Sequence, residues 1–340
     1  MDTTLTPPPA AAADYTWRPA THADLPAIHA LLVTTAAAID DPRVPTLEDY
    51  IREFDDPWCD PATSTCLVLA PDGSVAALAR VIANPEPQEE ARAFLEDEVH
   101  PDHQPALYAA VLGWLVEHGS QRLKTIAAAQ PGGFAGPLVL RLGAFDNIPG
   151  RAARYARHGF QPVRYFYRMR RDLSQPIPDW PLPAGLTLTT YRPELAEAVR
   201  LADNEAFSDH WSHEPVSVND WQQFVVGNSA FRPDLTPILL DGDEVVAFSL
   251  NRVSAEENAR QGYTAGWVGS LGTRRAWRKR GLASALLVWS MRAFQAEGLE
   301  YAALGVDAAN PTGALGLYER LGFVSDRRIT VYERAVRGPD

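Results

Sequence analysis

Three landmarks occur twice in this chain and in the same order, and an internal repeat of that kind restricts the fold more than any local signal. A short β-rich run ends in Trp17-Arg18-Pro19, and again in Tyr191-Arg192-Pro193, before a helical stretch. A hairpin turns on Pro71-Asp72-Gly73 and again on Asp241-Gly242-Asp243, and Asp-Gly between β-rich runs is a strong hairpin signal. Each half then closes on an Asn, a helix carrying a Tyr, a Gly-Phe and a final strand: Asn147, Tyr155 and Gly159-Phe160, then Asn310, Tyr318 and Gly322-Phe323. Paired positions Arg18 and Arg192, Gly73 and Gly242, and Asn147 and Asn310 lie 174, 169 and 163 residues apart, a drift that loop insertions explain. Inside the third landmark nothing drifts: Asn to Tyr is 8 residues and Tyr to Gly is 4 in both halves.

The repeat predicts two tandem α+β domains at 15–173 and 186–336, each a mixed, mostly antiparallel sheet flanked by helices. Residues 174–183 carry four prolines, which join neither a helix nor a central strand, so 174–185 is read as a stiff linker. Residues 1–14, with Pro7-Pro8-Pro9 and an alanine run, are read as a disordered tail and not as a secretory signal, since they lack a basic and an apolar region. A net charge of −12 argues against nucleic acid as a partner, while a small anion held by a local basic loop fits it. No run of about 18 apolar residues occurs, so no membrane span is expected. Cys59 and Cys66 build neither a CxxC pair nor a disulfide framework, which predicts a cytoplasmic protein with no metal. His210 and His213 with Asp209 and Glu214 have a permissive spacing for a metal, but no third ligand set accompanies them.

The second half holds the stretch with chemistry in it. Residues 267–271 read as a strand, 272–279 as a loop crowded with Arg274, Arg275, Arg278 and Lys279, followed by Arg280 and Gly281. A helix then runs to about Glu297, with Gly298 as its stop. A strand, a basic loop and a helix start make an anion site: free backbone N–H groups point outward and the helix dipole adds positive charge. Gly281 lets backbone approach a phosphate closely, and neither a GxxxxGK[ST] nor a GxGxxG pattern is present.

Arg278-x-x-Gly281-x-Ala283 matches the [QR]-x-x-G-x-[GA] motif of the GNAT acyltransferase superfamily, and on it the chain is identified as a member. The resemblance covers the second half well and the first through fold landmarks only. The tandem layout is similar to that of mycothiol synthase-like actinobacterial acetyltransferases. The resemblance implies an N-acetyltransferase (EC 2.3.1 type) that moves acetyl from the co-substrate acetyl-CoA to a small-molecule amine by direct attack. Backbone N–H groups of Lys279, Arg280, Gly281, Leu282, Ala283 and Ser284 would hold the CoA pyrophosphate, with Arg278 of the motif also counted as cofactor-binding. Leu271, Gly272 and Thr273 would face the pantetheine arm, one N–H there polarising the thioester carbonyl. Asn310 would contact the pantetheine side, and Tyr318 would be the general acid for the departing thiolate. Where mycothiol synthase-like proteins carry a glutamate on the motif strand, Trp267 stands here. That departure argues against mycothiol synthesis itself and leaves Glu214 or His213 as candidate bases, with Asp209, His210 and Trp211 in the acceptor wall.

The first half lacks the motif. Reading Gly119 as the helix stop equivalent to Gly298 puts Asp102 opposite Gly281, and Val99-His100-Pro101-Asp102-His103-Gln104 replaces the phosphate loop. Asp102 would repel a pyrophosphate, so this half is expected to be degenerate and Tyr155 a core tyrosine. Two other readings suit the same residues: a CoA-binding regulatory or scaffold protein without turnover, and a resistance protein that sequesters a drug. Oligomers are common in this superfamily, and the sequence carries no interface signature.

Overall fold

The computed structural model describes residues 12, 14–56, 58–310 and 313–336, so the expected tail lies almost wholly outside the described residues. The chain divides into two compact units, Met1–Arg164 joined by Ile329–Asp340, and Tyr165–Arg328. The first half of the sequence forms β1 (Thr16–Arg18), α1 (Leu25–Ala38), α2 (Leu47–Phe54), one-turn α3 (Pro61–Ser64), β2 (Thr65–Leu69), β3 (Val75–Ala83), β4 (Ala91–Val99), α4 (Gln104–Ala129), β5 (Leu138–Phe145), α5 (Arg151–Arg157) and β6 (Gln161–Asp172). The second half runs β7 (Thr187–Thr190), α6 (Ala196–Phe207), one-turn α7 (Val218–Asp220), β8 (Pro237–Asp241), β9 (Glu244–Arg252), α8 (Ala255–Gln261), β10 (Ala265–Thr273), α9 (Leu282–Ala296), β11 (Tyr301–Asp307), α10 (Ala314–Arg320) and β12 (Val324–Ala335). Both Asp-Gly pairs turn antiparallel hairpins, β2–β3 and β8–β9.

The compact units differ from 15–173 and 186–336 because the closing strands change places. The first unit's strand order is β1-β2-β3-β4-β5-β12 and the second's is β6-β11-β10-β9-β8-β7. All neighbours are antiparallel except β4–β5 and β10–β11, which are parallel. Phe166 to Asp172 of β6 pair with Asp307 to Tyr301 of β11, and Ile329 to Ala335 of β12 pair with Phe145 to Val139 of β5. Both exchanged strands are 12 residues long and follow a Gly-Phe turn, so each is an equivalent partner for either sheet.

In the second unit β9 and β10 bury both faces. On one face Val199, Ala202 and Ala206 of α6 meet Phe248 and Leu250. On the other, Leu282 and Leu286 of α9 meet Val246 and Ala247, while Leu287, Met291 and Phe294 cluster with Tyr318 and Phe323. Fully burying each Leu or Phe stabilises the fold by about 1.5–3 kcal/mol. Beneath α9, Asn251 Nδ2 donates to the Leu235 carbonyl at 2.5 Å and to Ser290 Oγ at 2.8 Å, fixing helix to strand. The helix ends as its sequence predicts: Gly298 (φ +78) donates to Gln295 O and Leu299 to Phe294 O, each at 3.0 Å, the paired bonds of a Schellman cap.

Gly119 does not end its helix. α4 continues through it to Ala129. A Cβ at Gly119 would lie 3.0 Å from the Leu140 and Leu95 side chains, so this glycine allows close helix–sheet approach and terminates nothing. Cys59 and Cys66 are free and buried, and burial pushes their thiols up to about 11 and about 12. Among the described residues no helix is long and apolar enough to cross a membrane.

Candidate active site

β10 and β11 stay paired from Ala265 and Tyr301 through Val268 and Leu304, and beyond that they part. A bulge between Val268 and Ser270, in the register with β9, bends the end of β10 at Gly269. The parting opens a cleft of about 630 Å³ in the second unit, floored by residues 268–273 and 304–307.

The start of α9 forms one wall. Gly281 is its N-cap with φ +81, Lys279 just before it has φ +64, and no side chain caps the helix. The first helical bond is Ala285 N–H to Gly281 O at 3.0 Å. The N–H groups of Leu282, Ala283 and Ser284 therefore have no helical acceptor, and the dipole's positive end faces the cleft with them. A residue with a Cβ would be strained at Gly281 in this left-handed conformation. These features fit a pyrophosphate: uncapped donors, a glycine turn, and an exposed Lys279 without an ion pair among the described residues. Thr273, on the floor, has a buried hydroxyl with no hydrogen-bond partner among the described residues.

The arginines of the loop are not a free cationic rim. Arg274 pairs with Glu205 at 2.9 Å, Arg275 with Asp209, and Arg278 with Asp209 at 3.1 Å. Arg278 also donates to the Ala206 carbonyl at 2.9 Å, and Arg275 to Ser208 Oγ at 2.9 Å. The three thus tie the loop to the C-terminal end of α6, where exposed carbonyls favour cations. Arg280 lies over the Trp277 ring at 4.5 Å.

Tyr318 on α10 and Asn310 also line the cleft. Tyr318 is 8% exposed, and burial pushes its hydroxyl up to about 12, so the phenol keeps its proton at neutral pH. Ala206, Phe207, Asp209 and His210 line the α6 side. His210 sits edge-on to Phe207 at 4.6 Å, and burial lowers its imidazole against the opposing pull of Asp307. Trp211, His213 and Glu214 do not line the cleft. Trp211 packs on Phe166 at 6.4 Å, and Phe166, brought in by the exchanged β6, does line it.

Sequence reasoning passed over Ser270 and Asp203. Ser270 lines the cleft at the bulge, and its hydroxyl donates to Asp203 Oδ1 at 2.8 Å. Asp203 lies on the buried stripe of α6 with Val199, Ala202 and Ala206, and burial raises its carboxyl to about 6 against the Ser270 bond. A carboxylate on an apolar helical stripe was the available signal.

The profile of the Acetyltransferase (GNAT) family matches residues 196–323. The chain is similar to the mycothiol acetyltransferase of Salinispora arenicola, 31% identical over 219 residues, 62% of this chain and 68% of that protein. It is likewise similar to the mycothiol acetyltransferase of Thermobispora bispora, 31% identical over 201 residues, 57% of this chain and 65% of that protein, just under two thirds of its length. A solved GCN5-related N-acetyltransferase from Sphaerobacter thermophilus superposes with a TM-score of 0.70 at 26% identity, covering 98% of each chain.

Proposed function

The chain belongs to the GNAT acetyltransferase family, and from that premise we propose that its second unit passes the acetyl group of acetyl-CoA directly to an amine of a small molecule, while the first unit does not bind CoA. One observation carries this reading: an uncapped helix N-terminus and a buried, protonated tyrosine share a cleft at the parting of two parallel strands.

In this reading the N–H groups of Leu282, Ala283 and Ser284, with Lys279 at the rim, bind the pyrophosphate. The free edge of β10 at Leu271, Gly272 and Thr273 runs along the pantetheine arm, and an N–H there stabilises the negative oxygen that forms during attack. Asn310 borders the same arm. Tyr318 gives its proton to the sulfur as the C–S bond breaks; a thiolate needs only a partial proton in the transition state, so a phenol suffices. The acceptor enters past Phe166, Phe207 and His210. The mycothiol acetyltransferases place their acceptor in the panel to be screened, while Trp267, covered by Arg252 at 5.1 Å, leaves the motif strand without a carboxylate here.

The test is acetyl-CoA turnover against an amine panel, with acetyl-CoA affinity measured in parallel. Wild type turns over at least one amine, and Tyr318→Phe lowers kcat by about 10²–10⁴-fold at unchanged affinity. Equal turnover in both forms, or no acetyl-CoA binding at millimolar ligand, overturns the reading.

A further inference from the structure

Resting on the acetyl-transfer reading, we infer that Asp203, acting through the Ser270 hydroxyl, receives the proton that the acceptor's ammonium gives up, so that α6 supplies the base the motif strand lacks.

Acid and base occupy opposite faces of the sheet. Ser270 and Gly272 stand opposite Leu250 and Phe248 in the β10–β9 register, and those two pack against α6. The Ser270 side chain therefore turns to α6, as its bond to Asp203 requires. Tyr318 clusters with Leu287, Met291 and Phe294 of α9, on the opposite face. Acid and base then flank the parted strands, which is what direct attack needs: a proton leaves nitrogen on one side and another reaches sulfur on the other.

Asp203 is also costly where it stands. It is 9% exposed in an apolar cluster, and among the described residues it has no cation partner and one side-chain hydrogen bond, to Ser270. A buried carboxylate of that kind destabilises a fold unless it serves another purpose. The charged groups nearest on α6 are engaged elsewhere: Arg200 with Glu197, and Glu205 with Arg274. On this side β9 presents Val245, Phe248 and Leu250, with Arg252 further along paired to Glu257 at 2.8 Å, and β10 presents Ser270. Burial alone therefore raises the carboxyl, to a value near 6 suited to accepting a proton near neutrality. His210 is the competing base; it sits beside Asp209, where Arg275 and Arg278 hold the loop.

One ammonium proton passes through Ser270 Oγ to Asp203, and the freed nitrogen bonds to the acetyl carbon. The C–S bond breaks, sulfur takes the Tyr318 proton, and the second nitrogen proton restores the phenol. Amide, thiol and one proton released from Asp203 to water are left.

The experiment follows CoA thiol release from acetyl-CoA with water as acceptor, from pH 5 to 9, in the full chain. Water must also give up a proton as it attacks, so it reports on the same base, and it is always present. Wild-type release rises through a limb near pH 6. Asp203→Asn flattens that limb and slows release by about 10²–10⁴-fold, Asp203→Glu restores part of the rate, and Ser270→Ala falls between, all with calorimetric acetyl-CoA affinity unchanged. A variant Asp203→Asn that binds acetyl-CoA and keeps the wild-type limb overturns the inference alone, as does loss of the limb in His210→Gln instead. Binding by the wild type without pH-dependent release also overturns it. No acetyl-CoA binding by the wild type overturns the transfer reading beneath it.

Discussion

Tyr155 and Tyr318 hold the same place in the repeat, yet their surroundings are opposite. In the first unit β4 and β5 also part, after Phe94 and Arg141. There Tyr155 donates to Asp97 at 3.0 Å, Tyr108 donates to the same carboxylate, and Arg151 bonds Asp97 at 3.1 Å and both phenol oxygens. The phenol is locked in a satisfied network. Tyr318, at the second parting, has no hydrogen bond among the described residues and lines an open cleft. The helix starts differ in the same sense. Neither helix has a side-chain cap, but α9 begins on a left-handed glycine, whereas α4 continues a turn over Pro101–His103 that already takes the Gln104 N–H, with an exposed Asp102 and a proline in its first turn that carries no N–H. One backbone plan thus serves as structure or as a candidate reaction site according to whether its free groups are satisfied internally.

The largest effect should separate the tyrosines. Tyr318→Phe is expected to cost about 10²–10⁴-fold in kcat with little change in melting temperature. Tyr155→Phe is expected to leave turnover alone and cost about 1–3 kcal/mol in denaturant unfolding, because Asp97 loses a buried donor. The reverse pattern would break the comparison. Next, Gly281→Glu puts a side chain at φ +81 and a carboxylate at the positive end of α9. Acetyl-CoA affinity should fall by about 100-fold or more, read by calorimetry.

Asp203 gives a smaller effect with a defined sign. Burial raises its carboxyl from 3.8 to about 6 in the folded chain, so the folded state prefers the protonated form. The stability this contributes is present below about pH 4 and is lost as pH rises through about 6. Asp203→Asn cannot ionise, so at pH 8 it should be more stable than wild type by up to about 3 kcal/mol, a gap that closes towards pH 4. Melts at the two pH values check this, and a less stable variant at pH 8 contradicts it. The smallest effect is expected from Asp102→Gly, which should create no second acetyl-CoA site because the first turn of α4 remains short of donors.

What the sequence made legible was encoded locally. The hairpins at Asp72-Gly73 and Asp241-Gly242, the stop at Gly298 and the turn at Gly281 each depend on the chemistry of a few adjacent residues. What escaped depends on partners far along the chain. The ion pairs that neutralise Arg274, Arg275 and Arg278 come from Glu205 and Asp209, which no reading of the loop can supply. The exchange of β6 and β12 escaped because two strands of equal length follow equivalent turns. Gly119 misled because a glycine needed for close packing looks, in sequence, like one needed for a cap.

The most direct test of the contrast between the units is a calorimetric titration of the full chain with acetyl-CoA. One site per chain, lost in Gly281→Glu and kept in Tyr155→Phe, is the predicted result. Two sites, or a single site that survives Gly281→Glu, would contradict it.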